Sequence, residues 1–146
     1  MSARALGPLL ALSLLSAPAA VTQDDWAAPD AEKARVNPIT ASEKDAGRGR
    51  SLYRQHCELC HGKEGRGDGP SARLHARNAR PPQDLTRPEI QANMTDGEIY
   101  WKIGAGFREG KKIVMPSFEN EIESADDRWR IVLFVRSLEA KAASTP

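Results

Sequence analysis

The sequence predicts an all-α domain of three to four helices, and three observations carry that prediction. Apolar residues recur at helical spacing near both ends of a region covering residues 43–140. Capping patterns open helices inside that region. No stretch alternates apolar and polar residues over a useful strand length, and no internal repeat is present. With 146 residues the chain has the size of one ordinary domain, about 150 residues.

Residues 1–20 read as an export signal peptide. Arg4 gives a positive start, Leu9 to Ala17 is an apolar run, and Ala17, Ala19 and Ala20 supply small residues for cleavage. An N-terminal membrane anchor is the competing reading. Pro8 and Pro18 bracket a run too short to cross a bilayer core comfortably. No other stretch approaches transmembrane length, so the expected mature chain has no integral membrane span and resides in the bacterial periplasm.

Residues 21–42 mix Ala, Asp and Pro without apolar periodicity and are expected to form a mostly irregular arm, with Trp26 able to dock onto the domain. The domain follows over 43–140, and 141–146 form a tail. Its first helix starts near Glu43, with Thr40/Glu43 or Ser42/Asp45 as the capping pair. Ala46, Gly49, Tyr53 and Cys57 share one face of it. Gly49 lets another helix approach closely, and the partner region is expected at Trp129–Val135.

Residues 62–88 read as loop, with five of Gly62–Pro70 being Gly or Pro and with Pro81, Pro82 and Pro88 following; a short helical piece fits Ser71 to Arg77. Thr95 to Glu98 is a second capping box, opening a helix through Ile103 that Gly104 and Gly106 stop. Residues 106–123 read as a second loop. The last helix opens at Ser124, with Asp126 and Asp127 favourable to its dipole. Ile131, Phe134, Val135 and Leu138 line one face, and Trp129, Val132 and Leu133 an adjacent one, so this helix packs on more than one side.

Composition narrows the function. The chain has 21 Lys+Arg and 20 Asp+Glu, and loss of the first segment, which holds Arg4 and no acid, would balance the two signs. Whole-chain attraction to nucleic acid or to an anionic membrane is thereby excluded. Hydrophobic residues are 40% and aromatics 5% of the chain, a thin apolar complement that a buried cofactor would fill. Two cysteines exclude a disulfide-dense scaffold and a four-cysteine metal site.

Those cysteines stand in Cys57-Glu58-Leu59-Cys60-His61. Two thiols three residues apart on a helical turn point to one side, where each can bond a haem vinyl group. The adjacent histidine then swings under the iron. C-x-x-C-H is the attachment pattern of c-type haem, and attachment outside the cytoplasm agrees with an export signal. A thioredoxin-like pair would need a βαβ context. A zinc site would draw Cys57, Cys60 and two of His56, His61 and His75, without a second C-x-x-C.

With these residues the chain resembles the monohaem class I cytochromes c of the bacterial periplasmic kind, over about residues 43–140. Gly49 and Tyr53 match the family's first helix, Cys57, Cys60 and His61 its haem attachment, and His61 to Pro70 its glycine-rich loop. Asp96 to Tyr100 match its middle helix, Met115-Pro116 its methionine-ligand loop, and Trp129 to Leu138 its closing helix. The resemblance implies a small fold wrapped around one covalent haem c, with His61 as proximal ligand of the iron. Met115 is the expected sixth ligand, held in a loop by Pro116. Met94, just before a helix cap, reads as packing, and His75 is the other candidate. The acceptor for the second ring N–H of His61 is expected at Pro81 or Pro82, as a backbone carbonyl. Tyr100 and Trp101 either pack on the haem or are core aromatics. His56 is expected to face solvent.

The expected function is electron transfer, not substrate chemistry. The protein would shuttle single electrons between redox complexes, freely or as the electron-transfer subunit of a periplasmic dehydrogenase or reductase. A haem enzyme or sensor would need a labile sixth ligand. Arg66, Arg73, Arg77, Arg80 and Arg87, with Lys102, Arg108, Lys111 and Lys112, could form a basic rim steering an acidic redox partner, or simply a solvated surface.

Overall fold

The computed structural model describes residues 26–78 and 80–143. The export segment expected over 1–20 lies outside the described residues, and the tail expected over 141–146 is described only to Ala143. Three longer helices carry the fold: α2 (Glu43–His56), α6 (Asp96–Ala105) and α7 (Ala125–Ala143). Four short ones join them: α1 (Asp30–Lys33), α3 (Glu58–His61), α4 (Ala72–Asn78) and α5 (Pro88–Asn93). The class is all-α, with more helical turns than the three to four helices expected. The added pieces are one or two turns long, too short to show a period.

Local chemistry accounts for the helix starts. Of the two capping pairs open to α2, Ser42 is used, its Oγ accepting from the Asp45 amide at 3.1 Å. Thr95 Oγ1 accepts from the Glu98 amide at 3.1 Å and opens α6. Pro88 begins α5, where a missing N–H costs nothing. Residues 106–123 are not all loop: β1 (Phe107–Glu109) and β2 (Lys112–Met115) pair antiparallel, with Phe107 opposite Met115. Strands this short, with Ile113, Val114 and Met115 in a row, carry no alternation to read.

The core lies along α7. Ile131 and Val132 are completely buried and Leu138 is 1% exposed, each contributing roughly 1.5–3 kcal/mol by leaving water. Helix α2 crosses α7 at Gly49, where a Cβ would sit on the carbonyl oxygen of Arg130 and 3.3 Å from Phe134 Cβ. Tyr53 packs beside it, ring to ring with Phe134 at 4.8 Å. Arg130 and Arg48 clasp the same two helices, through Asp45 and Asp127. Solvent screens these exposed and half-exposed pairs, so apolar burial dominates the crossing.

The arm is not loose over its described part. Ala28 is buried, and Asn37 Nδ2 donates to the Trp129 carbonyl at 3.1 Å. The Arg35 guanidinium lies 4.4 Å from the Tyr100 ring centre. Trp26 stacks on Phe107 at 5.1 Å and donates its indole N–H to the Gly106 carbonyl at 2.9 Å.

Candidate haem-attachment site

The C-x-x-C-H segment is formed by the break between α2 and α3. Cys57 closes α2, its amide donating to the Tyr53 carbonyl at 2.8 Å. The Cys57 carbonyl then accepts from both the Cys60 and His61 amides, at 3.1 and 2.9 Å. One tight turn therefore gathers Cys57, Cys60 and His61. Cys57 is buried and Cys60 half-buried. Cys60 Sγ lies 3.2 Å from Ser71 Oγ, whose hydroxyl donates to the Leu59 carbonyl at 2.9 Å.

The glycine-rich loop folds back to hold this turn. The amides of Gly62, Gly67, Gly69 and Ser71 donate to the carbonyls of Glu58, His61, Cys60 and Leu59, at 2.9, 2.8, 3.1 and 3.0 Å. Those are the carbonyls a helix end leaves without partners. From the core side, the Tyr53 hydroxyl donates to the Gly62 carbonyl at 2.8 Å.

His61 is oriented from the other side. Its Nδ1 lies 3.0 Å from the Gln83 carbonyl oxygen. A carbonyl only accepts, so Nδ1 carries the proton and Nε2 keeps its lone pair. Burial lowers the pKa of His61, the Gln83 bond partly opposes that, and the charge of His75 lowers it further. The ring is thus neutral at neutral pH, the form that binds a metal. The acceptor is not Pro81 or Pro82, as expected, but the next residue. The Pro82 carbonyl faces Gly67, where a Cβ would come within 2.5 Å of it at φ +76°. Successive carbonyls of an extended proline run point in different directions, so only one can meet the ring.

The remaining expected site residues are dispersed. Met115 ends β2, half-buried against the apolar cluster that contains Cys57. Its loop is bolted to the end of α6: Ser117 Oγ donates to the Gly104 carbonyl at 2.5 Å, and the Phe118 amide to the Ile103 carbonyl at 3.1 Å. Met94 packs on the same cluster, but its sulfur accepts from Lys102 Nζ at 3.7 Å. His75 sits on α4. His56 does not simply face solvent; it is half-buried, edge-on to Phe118 at 5.7 Å. Tyr100 stacks on Trp129 at 4.1 Å with Arg35 and Arg128 over its ring, an arrangement of core packing. Trp101 is half-buried on α6. Gln83 was not visible as a site residue in the sequence, although its place directly after Pro81-Pro82 was the available signal.

Two thiols on one turn and a neutral imidazole with a free Nε2 lone pair fit covalent haem attachment. They do not fit the competing chemistries. Burial, and then proximity to Cys60, pushes the Cys57 thiol up to about 12, the opposite of an activated thiolate. Among the described residues, no three His, Cys, Asp or Glu side chains are grouped to hold a metal ion.

A family model described as cytochrome c oxidase, cbb3-type, subunit III matches residues 44–135, more than half of the chain. The chain belongs to that cytochrome c family. As a class I cytochrome c it binds haem c covalently and transfers electrons. The cytochrome is also similar to a chain of the Kuenenia stuttgartiensis reducing HAO-like protein complex Kustc0457/Kustc0458, at 32% identity and TM-score 0.57 over 69% of its own length. It spans 46% of that chain. A structure named KustC0563 c-type cytochrome is 28% identical, with TM-score 0.48, 62% of this cytochrome and 96% of that chain being covered. No curated protein sequence matches it. No helix among the described residues is long and apolar enough to cross a membrane.

Proposed function

We propose that this cytochrome is a periplasmic carrier of single electrons, with one haem c bonded to Cys57 and Cys60 and its iron held between His61 and Met115. The observation that carries this reading is the fixed His61 ring, with Nδ1 spent on Gln83 and Nε2 left to coordinate. The haem supplies the reversible ferric–ferrous couple when bound. The chain supplies the orientation of His61, the apolar wall around Cys57 and a thioether that favours ferrous iron. The single C-x-x-C-H at Cys57–His61 supports a count of one haem. The signal-like pattern of residues 1–20 supports export.

A second reading has an observation behind it. The neighbour of TM-score 0.57 belongs to a redox complex and is longer than this chain, so the cytochrome could work as an electron-transfer subunit and not as a free shuttle. Size-exclusion chromatography of the native protein from its own periplasm separates the two. For the ligands, the test is expression with its export signal and a haem c maturation system. One covalent haem per chain and a one-electron titration are expected. Met115→Ala is expected to lower the reduction potential, and an unchanged potential would remove Met115 from the iron.

A further inference from the structure

We infer that Gln91 and Arg136, on α5 and α7, are positioning residues for the iron ligand His61, acting through the loop that presents the Gln83 carbonyl. The inference rests on His61 being the proximal ligand, as proposed above. Neither residue belongs to the attachment motif or lies near it in sequence.

The chain of contacts is continuous. Gln91 is 5% exposed, and its Nε2 donates to the Leu85 carbonyl at 2.5 Å and to the Val135 carbonyl at 3.1 Å. Its Oε1 accepts from Arg136 Nη1 at 2.9 Å. Two carbonyls on one side and a guanidinium on the other allow only this orientation of the amide. Arg136 is itself fixed. Its Nη1 also donates to the Gln91 carbonyl at 2.7 Å, its Nη2 to the Met94 carbonyl at 2.6 Å, and its Nε to Asp96 at 2.7 Å. The planar fork thus caps the end of α5 and the start of α6 together.

Leu85 is the point where this clamp meets the loop. Its carbonyl is held by Gln91 and its amide donates to the Gly65 carbonyl at 2.7 Å. Gln83 lies two residues earlier, with Gly67 backing its carbonyl. The Gln83 carbonyl is therefore aimed by a short segment tied down at Leu85. The strength of the bond to Nδ1 sets how basic the ligating imidazole is, and a more basic ligand favours ferric iron. Loosening the clamp is thus expected to raise the reduction potential.

The experiment compares the haem-loaded protein with Gln91→Leu, Gln91→Glu and Arg136→Lys. Gln91→Glu keeps an acceptor for Arg136 but loses the donor to Leu85, so it reads the clamp if Gln91→Leu fails to fold. Expected are a higher potential, a shifted iron–histidine vibration in the reduced form, and faster amide exchange at Leu85 by up to about ten-fold, the value of one hydrogen bond. Arg136→Lys should fall between these and the unsubstituted protein. Reduced stability with an unmoved potential and vibration would make Gln91 merely structural and overturn the inference. A spectrum unaltered by His61→Ala would overturn the ligand reading itself, and is told apart from a failed clamp because that variant is compared before any clamp variant.

Discussion

The proposed sixth ligand sets Met115 apart from Met94, and the surroundings of the two differ. Both are half-buried on one apolar cluster. The Met94 sulfur meets the Lys102 ammonium, which is paired with Glu98 at 3.0 Å, and so is turned toward one fixed cation already. Met115 carries no such partner among the contacts described, and its loop is anchored at Gly104 and Ile103. Met94→Leu should leave the haem spectrum and potential unchanged, whereas Met115→Ala should alter both; equal effects in a redox titration would contradict the assignment. Tyr53 makes a second residue-scale prediction. Tyr53→Phe strips the Gly62 carbonyl of a buried donor and should cost about 1–3 kcal/mol, the price of an unsatisfied buried acceptor, read from the denaturation midpoint.

Among elements, the crossing of α2 and α7 decides stability. Gly49→Leu would drive a side chain into the Arg130 backbone, and overpacking of this kind costs roughly 1–3 kcal/mol or more. A clear fall in thermal midpoint is expected although no iron ligand is touched. The same crossing predicts an acid response. The Arg48 guanidinium, and then Arg130, hold the Asp127 carboxyl below its usual range. Stability from a depressed carboxylate is complete above its unfolded pKa and is lost as pH falls through the folded value, so below about pH 4. Asp127→Asn should flatten the stability profile in that range, measured by denaturation at stepped pH. These elements were legible because α7 repeats Ile131, Phe134, Val135 and Leu138 along a single face, and because Ser42 and Thr95 cap within three residues. The attachment motif was legible for the same reason: it is local. Gln83 with His61, Arg136 with Gln91 and Trp26 with Gly106 are 22, 45 and 80 residues apart. No period or spacing encodes such pairs; only the packed chain brings them together.

At the scale of the molecule, the described arm straps the hairpin that ends in Met115. Trp26 holds Gly106 and Phe107, and Phe107 pairs with Met115. Trp26→Ala should therefore speed amide exchange in β1 and β2 while leaving α2 protected. The basic rim expected from the sequence is thinner than a count suggests, since Arg80 pairs with Glu109, Lys102 with Glu98 and Arg87 with Glu89. What steering remains rests on the surface around Arg66, Arg73, Arg77, Arg108, Lys111 and Lys112, and a rate of electron transfer that falls with added salt is its signature. The central claim, a closed His61–Met115 haem, is tested most directly by visible spectra of the purified protein taken oxidised, reduced, and reduced under carbon monoxide. A low-spin haem c spectrum that carbon monoxide does not move is the predicted result. A clear carbon monoxide shift in the unsubstituted protein would contradict it, because the sixth position would then be open to ligands.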